Sequence, residues 1–307
     1  MLIRISKDLK KQEIWANGVE LASVMGRDRK NGKRIITHPL NKKIFLYRFN
    51  NPVLMTDNYR ISRLTPSLRD SLFSLYSSLP RVVEYDDVNV ISDYSHINVW
   101  SPSIDTMVFA KALSKMCNKN SNFKSAVEIG CGSGFLSKYV LEKCKKLKSI
   151  LINDINPYAI KSAMDNIKDI RANFYAGDGL KKMNGNKFDL MICNPPYVPR
   201  PNSIDDNPYE GIGLLKHLVH NGQRYLNDNG ILITNVSSLC WNILFKEKPK
   251  MKVKILEKMK VPLKVNNILN DKKWVNYLMR NGLKKKYNNG YEYWQELNII
   301  MLKNTIS

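Results

Sequence analysis

The fold of this 307-residue chain is indicated above all by one stretch, Ala126-Val127-Glu128-Ile129-Gly130-Cys131-Gly132-Ser133-Gly134. Its mostly apolar start predicts a buried strand, and apolar residues at helical spacing over residues 135–141 predict a helix after the glycines. Glycines let a backbone pass close to a ligand, and a helix start presents free N–H groups. The loop departs from the dinucleotide pattern G-x-G-x-x-G, and Glu128 stands where no phosphate needs a carboxylate. A cationic or amino-bearing ligand therefore fits better than a phosphate.

Two further predicted strands each have an acidic residue at or just after their carboxyl end. The run Ser149-Ile150-Leu151-Ile152-Asn153-Asp154 ends at the position from which a carboxylate binds ribose hydroxyls in nucleotide-binding folds. A third strand over residues 172–176 precedes Gly177 and Asp178, and the Asp178 carboxylate is a candidate acceptor for an adenine amino group. The ligand that these residues predict is a nucleoside without a phosphate.

The tetrapeptide Asn194-Pro195-Pro196-Tyr197 follows a fourth apolar run, at residues 188–193. Two prolines fix φ and remove two backbone donors, so the loop is stiff and presents acceptors. The Asn194 side-chain oxygen and the Pro195 carbonyl would accept hydrogen bonds from an amine or carboxamide nitrogen and favour its pyramidal transition state. Tyr197 would stack on the planar group. For this tetrapeptide on its own, a plain proline-rich turn is the alternative.

Taken together, these motifs resemble the class I S-adenosylmethionine-dependent methyltransferases. Within that class they are similar to the branch that contains release-factor glutamine methyltransferases and adenine-N6 or guanine-N2 nucleic-acid methyltransferases. The likeness covers residues 98–245 and includes Trp100-Ser101-Pro102-Ser103-Ile104-Asp105-Thr106, which resembles the family's segment over the cofactor.

The resemblance implies an α/β fold with a Rossmann-like, seven-stranded, mostly parallel sheet whose last strand is antiparallel. It also implies methyl transfer from S-adenosylmethionine to nitrogen. The catalytic loop is then Asn194, Pro195, Pro196 and Tyr197, in which Asn194 and the Pro195 carbonyl hold the target amine. The implied cofactor-binding residues are Thr106, Glu128, Gly130, Gly132, Gly134, Asp154, Asp178 and Asn194.

Residues outside this likeness predict a second, smaller unit. We expect residues 1–97 to form a small α+β domain that recognises substrate, and residues 98–307 to form the methyltransferase domain. Strands are predicted at residues 2–5 and 43–47 and a helix at residues 66–79. Further along, we expect a strand at residues 230–234, a helix at residues 272–279 that ends at Gly282, a turn at residues 288–290 and a last, antiparallel strand at residues 296–302.

The formal net charge of +22 lies mostly in two flanks of the chain. Residues 1–50 hold 12 Lys or Arg and 4 acids, which gives +8, and a basic insertion at residues 243–290 holds 14 and 3, which gives +11. This distribution predicts a polyanionic partner. A lysine bias across the whole genome is the alternative, although such a bias would not concentrate the charge. The candidate phosphate contacts are Arg27, Arg29, Lys30, Lys33, Arg34, Lys284, Lys285 and Lys286.

Composition also argues against a membrane protein and a metalloprotein. No apolar run approaches about 18 residues and no charged-then-apolar leader is found, which predicts a soluble, cytoplasmic protein with no membrane partner. Five cysteines form no C-x-x-C pair, so no metal site is predicted. His217 and His220 are spaced i, i+3 without a third ligand, and a partly buried helix face is the simpler interpretation. Cys131 and Cys193 are interpreted as small packing residues.

Two substrates fit the Asn194 loop, because a base amine and a carboxamide present nearly the same planar N–H geometry. The first hypothesis is methylation of an exocyclic amine of a flipped-out base in nucleic acid, with RNA favoured. The second is methylation of a glutamine in a release factor, a class whose all-helical N-terminal domain is not predicted at residues 1–97. An inactive scaffold is a third hypothesis, which the intact acids and loop disfavour.

Overall fold

A computed structural model describes residues 2–9, 12–17, 35–37, 44–49, 81–92, 98–117, 121–202, 211–263, 266–288 and 291–304. Within these residues the strands form two sheets, one of six strands and one of eight. The predicted helix at residues 66–79 lies outside the described residues, as do two residues of the predicted turn at 288–290.

The six-stranded sheet contains the strands that precede residue 93. Its strands are β1 (Leu2–Ile5), β2 (Gln12–Asn17), β3 (Ile35–Thr37), β4 (Ile44–Phe49), β5 (Arg81–Tyr85) and β6 (Val88–Ser92). Their order is β3-β4-β2-β1-β5-β6, and β1 and β5 are the parallel pair. The strands predicted at residues 2–5 and 43–47 are confirmed as β1 and β4.

In the rest of the chain, strands alternate with helices. The elements are α1 (Ile104–Ser114), β7 (Ser125–Ile129), α2 (Phe135–Lys143), β8 (Ser149–Asp154), α3 (Pro157–Asn166), β9 (Ala172–Ala176), α4 (Gly179–Lys182), β10 (Phe188–Cys193), α5 (Gly213–Asn221), a 3-10 turn (Gly222–Tyr225), β11 (Leu226–Ser237), α6 (Trp241–Leu244), β12 (Lys252–Pro262), α7 (Asn266–Asn270), α8 (Lys272–Arg280), β13 (Lys284–Asn288) and β14 (Tyr291–Lys303).

The larger sheet has the order β12-β14-β11-β10-β7-β8-β9, with β13 added beside β14. Strands β7 to β11 pair in parallel, and β14 is antiparallel to both β11 and β12. The predicted fold class is confirmed, including the antiparallel last strand. The chain leaves β9 at one edge and re-enters beside β7 as β10, so the carboxyl ends of β7 and β10 flank a topological switch point, where α/β sheets bind ligands.

Strand β12 is an edge strand that the sequence analysis did not assign. We treated residues 243–290 as a basic insertion, whereas Lys252–Pro262 pairs along β14 as part of the main sheet. The alternation of lysine with apolar residues, as in Lys252, Val253 and Lys254, is a strand pattern, but a register shift between Ile255 and Glu257 interrupts it. Exposed lysines on an edge strand also protect it from pairing with other chains.

The helix predicted at residues 272–279 is confirmed as α8, which ends at Arg280, two residues before the predicted end at Gly282. Gly282 has φ +101°, a left-handed conformation that favours glycine. The amide of Gly282 donates to the Met279 carbonyl (3.3 Å), and that of Leu283 donates to the Leu278 carbonyl (2.9 Å). These two bonds turn the chain back toward the sheet.

Side chains of the small sheet pack into the core of the large one. Ile5, Val83 and Tyr85 lie in one hydrophobic cluster with the buried residues of α1 and α2. Asp86, in the turn between β5 and β6, accepts a hydrogen bond from the Tyr139 hydroxyl (2.7 Å) and pairs with Lys143 of α2 (3.1 Å). The predicted boundary at residue 97 therefore separates two sheets that share buried contacts. Among the described helices, none combines the length and apolar character needed to span a bilayer.

Candidate active site

The glycine loop lies at the carboxyl end of β7 and leads into α2. Its backbone is held by β8, since the amides of Gly130 (2.9 Å) and Cys131 (3.0 Å) both donate to the Asn153 carbonyl. Gly130 has φ +74°, and a Cβ added there would meet no atom within 4 Å. The loop thus faces open space at this point. At Gly134, with φ +82°, a Cβ would lie 3.0 Å from Ala163, so glycine allows α2 to begin against α3.

Glu128, on β7 below the loop, is buried, with 1% of its surface exposed. The Ser137 hydroxyl of α2 donates a hydrogen bond to its carboxyl group. Burial raises the pKa of Glu128 to about 8, because the charged form is disfavoured away from water. The free protein therefore holds this carboxyl largely protonated at neutral pH.

Asp154 ends β8 and uses its carboxylate to organise two loops. One oxygen accepts from the Gly132 amide (3.0 Å) and the other from the Asn156 amide (2.9 Å). Burial raises the pKa of Asp154, against the opposing effect of these bonds. Each carboxylate oxygen has a second lone pair, so Asp154 retains acceptor capacity for a ribose hydroxyl.

Asp178 and Thr106 also have local partners. Asp178 caps α4, accepting from the amides of Leu180 (3.0 Å) and Lys181 (3.3 Å), and its side chain is exposed. The Thr106 hydroxyl accepts from the Ser103 amide (3.1 Å) at the start of α1. Residues 98–103 lie against the loops, because the Asn98 carbonyl accepts from Asn156 (3.3 Å) and the Trp100 carbonyl would be 3.5 Å from a Cβ at Gly132.

The Asn194 loop continues directly from β10. The Asn194 side-chain oxygen is buried and has no hydrogen-bond partner among the described residues. Pro195 is buried, and Tyr197 is half-buried against the hydrophobic clusters on both faces of the sheet. A buried acceptor without a partner is unfavourable by roughly 1–3 kcal/mol, so it calls for a ligand or a water.

Asn235 is a candidate that the sequence analysis missed. Cys193 of β10 pairs with Thr234 of β11, so Asn194 and Asn235 come at the same level on neighbouring strands. Asn235 is fully buried, and neither its amide nitrogen nor its oxygen has a partner among the described residues. The signal in the sequence is a lone asparagine in an apolar run, which shows its place only when the register is known.

A second feature that the sequence did not reveal is a cap over the Asn194 loop, formed by residues 266–288. Val275 and Leu278 of α8 lie in one buried cluster with Val198, which follows Tyr197. The Trp274 indole nitrogen donates to the Pro199 carbonyl (2.9 Å). The cap therefore holds the loop through both apolar contacts and a hydrogen bond.

The structure describes three of the eight predicted phosphate contacts. Lys284, Lys285 and Lys286 are exposed on β13 within the cap, and Lys285 pairs with Glu292 (3.0 Å). The other five, Arg27, Arg29, Lys30, Lys33 and Arg34, lie outside the described residues.

The two histidines on α5 have separate partners. His217 contacts the Tyr225 hydroxyl (3.1 Å), and His220 contacts the Leu244 carbonyl (2.9 Å). In the part of the chain that the structure describes, no group of three or more His, Cys, Asp or Glu side chains is arranged to hold a metal ion.

Seven of the eight strands follow this order, and with a glycine loop and an acid at adjacent strand ends they define a Rossmann-like α/β protein. Residues 95–260, more than half of the chain, match the methyltransferase small domain, and the chain belongs to this family. It is an S-adenosylmethionine-dependent N-methyltransferase, as the sequence motifs predicted, and S-adenosylmethionine is its methyl donor.

Three relatives illustrate the range of the family. A Methanocaldococcus jannaschii protein assigned as a protein N5-glutamine methyltransferase is 31% identical over 190 residues, which cover 57% of this chain and 92% of the relative. The ribosomal RNA small subunit methyltransferase C of Buchnera aphidicola is 28% identical over 122 residues (39% and 35%). The release factor glutamine methyltransferase of Aquifex aeolicus is 26% identical over 126 residues (36% and 44%). The chain thus spans nearly all of the first relative and less than half of the other two.

Proposed function

We propose that this protein transfers a methyl group from S-adenosylmethionine to an exocyclic amine of a base in RNA. Nitrogen is proposed as the target atom because the Asn194 oxygen, after the end of β10, is buried and has no hydrogen-bond partner within the described ranges. Such an oxygen accepts a hydrogen bond from an N–H group, and an exocyclic amine supplies one. The Pro195 carbonyl is the second acceptor of the loop.

The cofactor site lies along the ends of β7, β8 and β9. We assign the glycine loop (Gly130, Gly132, Gly134), Glu128 and Thr106 to the amino-acid part, Asp154 to the ribose and Asp178 to the adenine amine. The open space above Gly130 and the spare acceptor capacity of Asp154 fit such a ligand. When bound, its sulfonium supplies an activated methyl group and leaves as a neutral thioether.

The chain's own residues then act mainly by orientation. Asn194 and the Pro195 carbonyl hold the two amine hydrogens and turn the nitrogen lone pair toward the methyl carbon. Tyr197 stacks on the base. Alignment at about 3–3.5 Å supplies most of the acceleration, and no strong general base is required because the methylated nitrogen becomes acidic and loses its proton to water.

Charge supports RNA as the substrate. The flanks at residues 1–50 and 243–290 contribute +8 and +11, and the ribosomal RNA methyltransferase of Buchnera aphidicola is one of the relatives. We propose residues 1–97 as a substrate-recognition domain whose Arg27, Arg29, Lys30, Lys33 and Arg34 contact phosphates. Reversal of these five charges is expected to weaken RNA binding and to flatten its salt dependence.

Glutamine in a release factor is the second candidate substrate. It is favoured by the Methanocaldococcus jannaschii relative, of which this chain covers 92%, and by the release-factor relative. A carboxamide would meet Asn194 with the same N–H geometry as a base amine. The loop alone therefore does not separate the two substrates.

A methyl-transfer assay tests the proposal. The protein is incubated with tritiated S-adenosylmethionine and with total RNA, DNA or release factors from the source cell, and Asn194→Ala serves as the matched control. We expect label in RNA that is lost on ribonuclease digestion and absent with Asn194→Ala. Label in protein alone would support the glutamine alternative and reject RNA.

A further inference from the structure

We propose that the outer face of the cap, residues 266–288, is the surface on which the sugar-phosphate backbone of the RNA docks. This inference rests on the proposed function and adds to it the element that presents the RNA to the Asn194 loop. Among the residues that form this face, Lys272, Lys273 and Arg280 were not singled out from the sequence.

Helix α8 has two faces of opposite character. Its inner face buries Val275 and Leu278 and half-buries Trp274 and Tyr277 against the segment after Tyr197. Its outer face exposes Lys272, Lys273 and Arg280. The apolar side is thus already covered by the catalytic loop, which leaves a cationic side for a partner.

The cap holds little negative charge of its own. Residues 266–288 contain six Lys or Arg and one acid, Asp271. Asp271 caps α8 by accepting from the amides of Lys273 (2.8 Å) and Trp274 (3.1 Å). Lys285 has an ion-pair partner, whereas within the described ranges no ion pair involves the remaining five cations. Like charges repel on a surface, and the negative charge of a polyanion such as RNA offsets that repulsion. Binding also releases the counterions that were condensed on the RNA, which favours the complex.

Helix α8 also links this outer face to the segment that follows the Asn194 loop. The hydrogen bond from Trp274 to the Pro199 carbonyl (2.9 Å) is made by the same helix that carries Lys272 and Lys273. A helix with its side chains is about 10–12 Å across, so phosphates on the outer face lie about one helix diameter from the loop. RNA bound there would be held at a fixed offset from Asn194.

Lysines on and before β12 carry the same charge as the cap lysines but lie elsewhere on the protein. Lys252 and Lys254 are exposed on β12, where they pair with Lys303 and Met301 of β14. Lys303 also pairs with Ile231, before the carboxyl end of β11. These lysines therefore lie toward the opposite end of the sheet from Asn194, and Lys248 and Lys250 lead into the same strand.

The test compares two sets of four neutralised cations. The cap variant carries Lys272→Gln, Lys273→Gln, Arg280→Gln and Lys286→Gln, and the control variant carries Lys248→Gln, Lys250→Gln, Lys252→Gln and Lys254→Gln. We measure KM and kcat on the methylated RNA fraction, the salt dependence of RNA binding and the Kd for S-adenosylmethionine. Unchanged cofactor affinity and thermal midpoint establish that both variants are folded.

We expect the cap variant to raise the KM for RNA by about tenfold or more with kcat retained, while the control stays within about twofold. Removal of each phosphate contact should reduce the slope of log K against log salt by about 0.7–0.9.

Trp274→Phe removes the indole donor and keeps an aromatic ring, so we expect it to lower kcat by about three- to tenfold and to leave the KM for RNA unchanged.

The outcomes separate the cap from the proposed function. Equal KM and equal salt slope for the cap variant and the wild type overturn the docking surface while RNA methylation stands. An equal rise in KM for both variants would show that the KM depends on the total charge of the protein and not on the cap. This outcome also overturns the docking surface. Wild-type protein that neither binds nor methylates RNA overturns both proposals.

Discussion

The two halves of the carboxyl edge treat their polar groups in different ways. On the side proposed to bind the cofactor, at the ends of β7 to β9, the acidic side chains already have partners: Glu128 has Ser137, Asp154 has Gly132 and Asn156, and Asp178 has the amides of α4. On the substrate side, at the ends of β10 and β11, the Asn194 oxygen and both polar atoms of Asn235 have no partner among the described residues.

The two sides are therefore expected to bind their proposed ligands in different ways. A side whose groups bond one another is preorganised, and its ligand uses the remaining lone pairs without rearrangement. Buried amide groups without partners are unfavourable in the free protein, and the bond that a substrate forms with them removes that penalty. The stability of the free protein and the reactivity of the complex should therefore respond differently to substitutions on the two sides.

The largest effect is expected at Asn194. Asn194→Ala removes the proposed acceptor for the target amine, and among the described residues the Asn194 oxygen makes no hydrogen bond that would be lost. We therefore expect kcat to fall about 10²–10³-fold, the size seen when one oriented polar group is removed from an active site. Single-turnover methyl transfer measures this fall, and calorimetry should show cofactor affinity within about twofold of wild type. Equal loss of cofactor affinity would place Asn194 on the cofactor side instead.

On the cofactor side, Glu128 should make stability depend on pH. Its pKa is about 8 in the folded protein and 4.5 ordinarily, so unfolding between these values releases a proton, and stability falls as the pH rises from 4.5 toward 8. The fall amounts to about 3 kcal/mol between about pH 5 and 8. Urea unfolding of wild type and Glu128→Gln across this range measures the difference. Parallel curves for the two proteins would show that Glu128 ionises normally in the folded state.

Asp154 should govern cofactor affinity. Asp154→Ala removes the carboxylate assigned to the ribose and frees the amides of Gly132 and Asn156, and a hydrogen bond to a charged group is worth about 1.5–3 kcal/mol. We expect the Kd for S-adenosylmethionine to rise about tenfold to a hundredfold in calorimetry, with kcat at saturating cofactor retained. A changed kcat with unchanged Kd would contradict the assignment.

A matched pair of buried asparagines compares the stability of the two sides, and the Asn235 variant is expected to show the smallest change. Asn153, on β8, donates to the carbonyls of Tyr175 (3.0 Å) and Gly177 (2.8 Å), whereas the Asn235 amide has no partner in the described part of the chain. Asn153→Leu should destabilise the protein by about 1–3 kcal/mol, while Asn235→Leu should leave stability within about 1 kcal/mol. Thermal unfolding compares them.

Activity decides whether the amide of Asn235 serves the substrate. If it does, Asn235→Leu lowers kcat by about tenfold although the fold is unharmed. Wild-type turnover in this variant would make Asn235 an idle buried amide and would confine the substrate side to the Asn194 loop.

Local sequence determined the order of the chemistry along the chain. The glycine loop, the acids after β8 and β9, the proline loop after β10 and the antiparallel last strand were all predicted, because each depends on residues within about ten positions of one another. Glycine and proline act on their own backbone, and periodicity reports on a single strand or helix. The sheet class follows from these segments, and the methyl donor follows from the family that they resemble.

The elements that surround the Asn194 loop became apparent only in the tertiary structure. Strand β12 was missed because its pairing with β14 is what makes a lysine-rich run an edge strand. Asn235 lies beside Asn194 because of the register between β10 and β11. Trp274 donates to the Pro199 carbonyl although the two residues are 75 positions apart in the sequence. Contacts of this kind depend on which surfaces the whole chain buries together, and no local pattern encodes them. The glycine loop and the acids at neighbouring strand ends were therefore visible in the sequence, whereas the cap over the Asn194 loop required the fold.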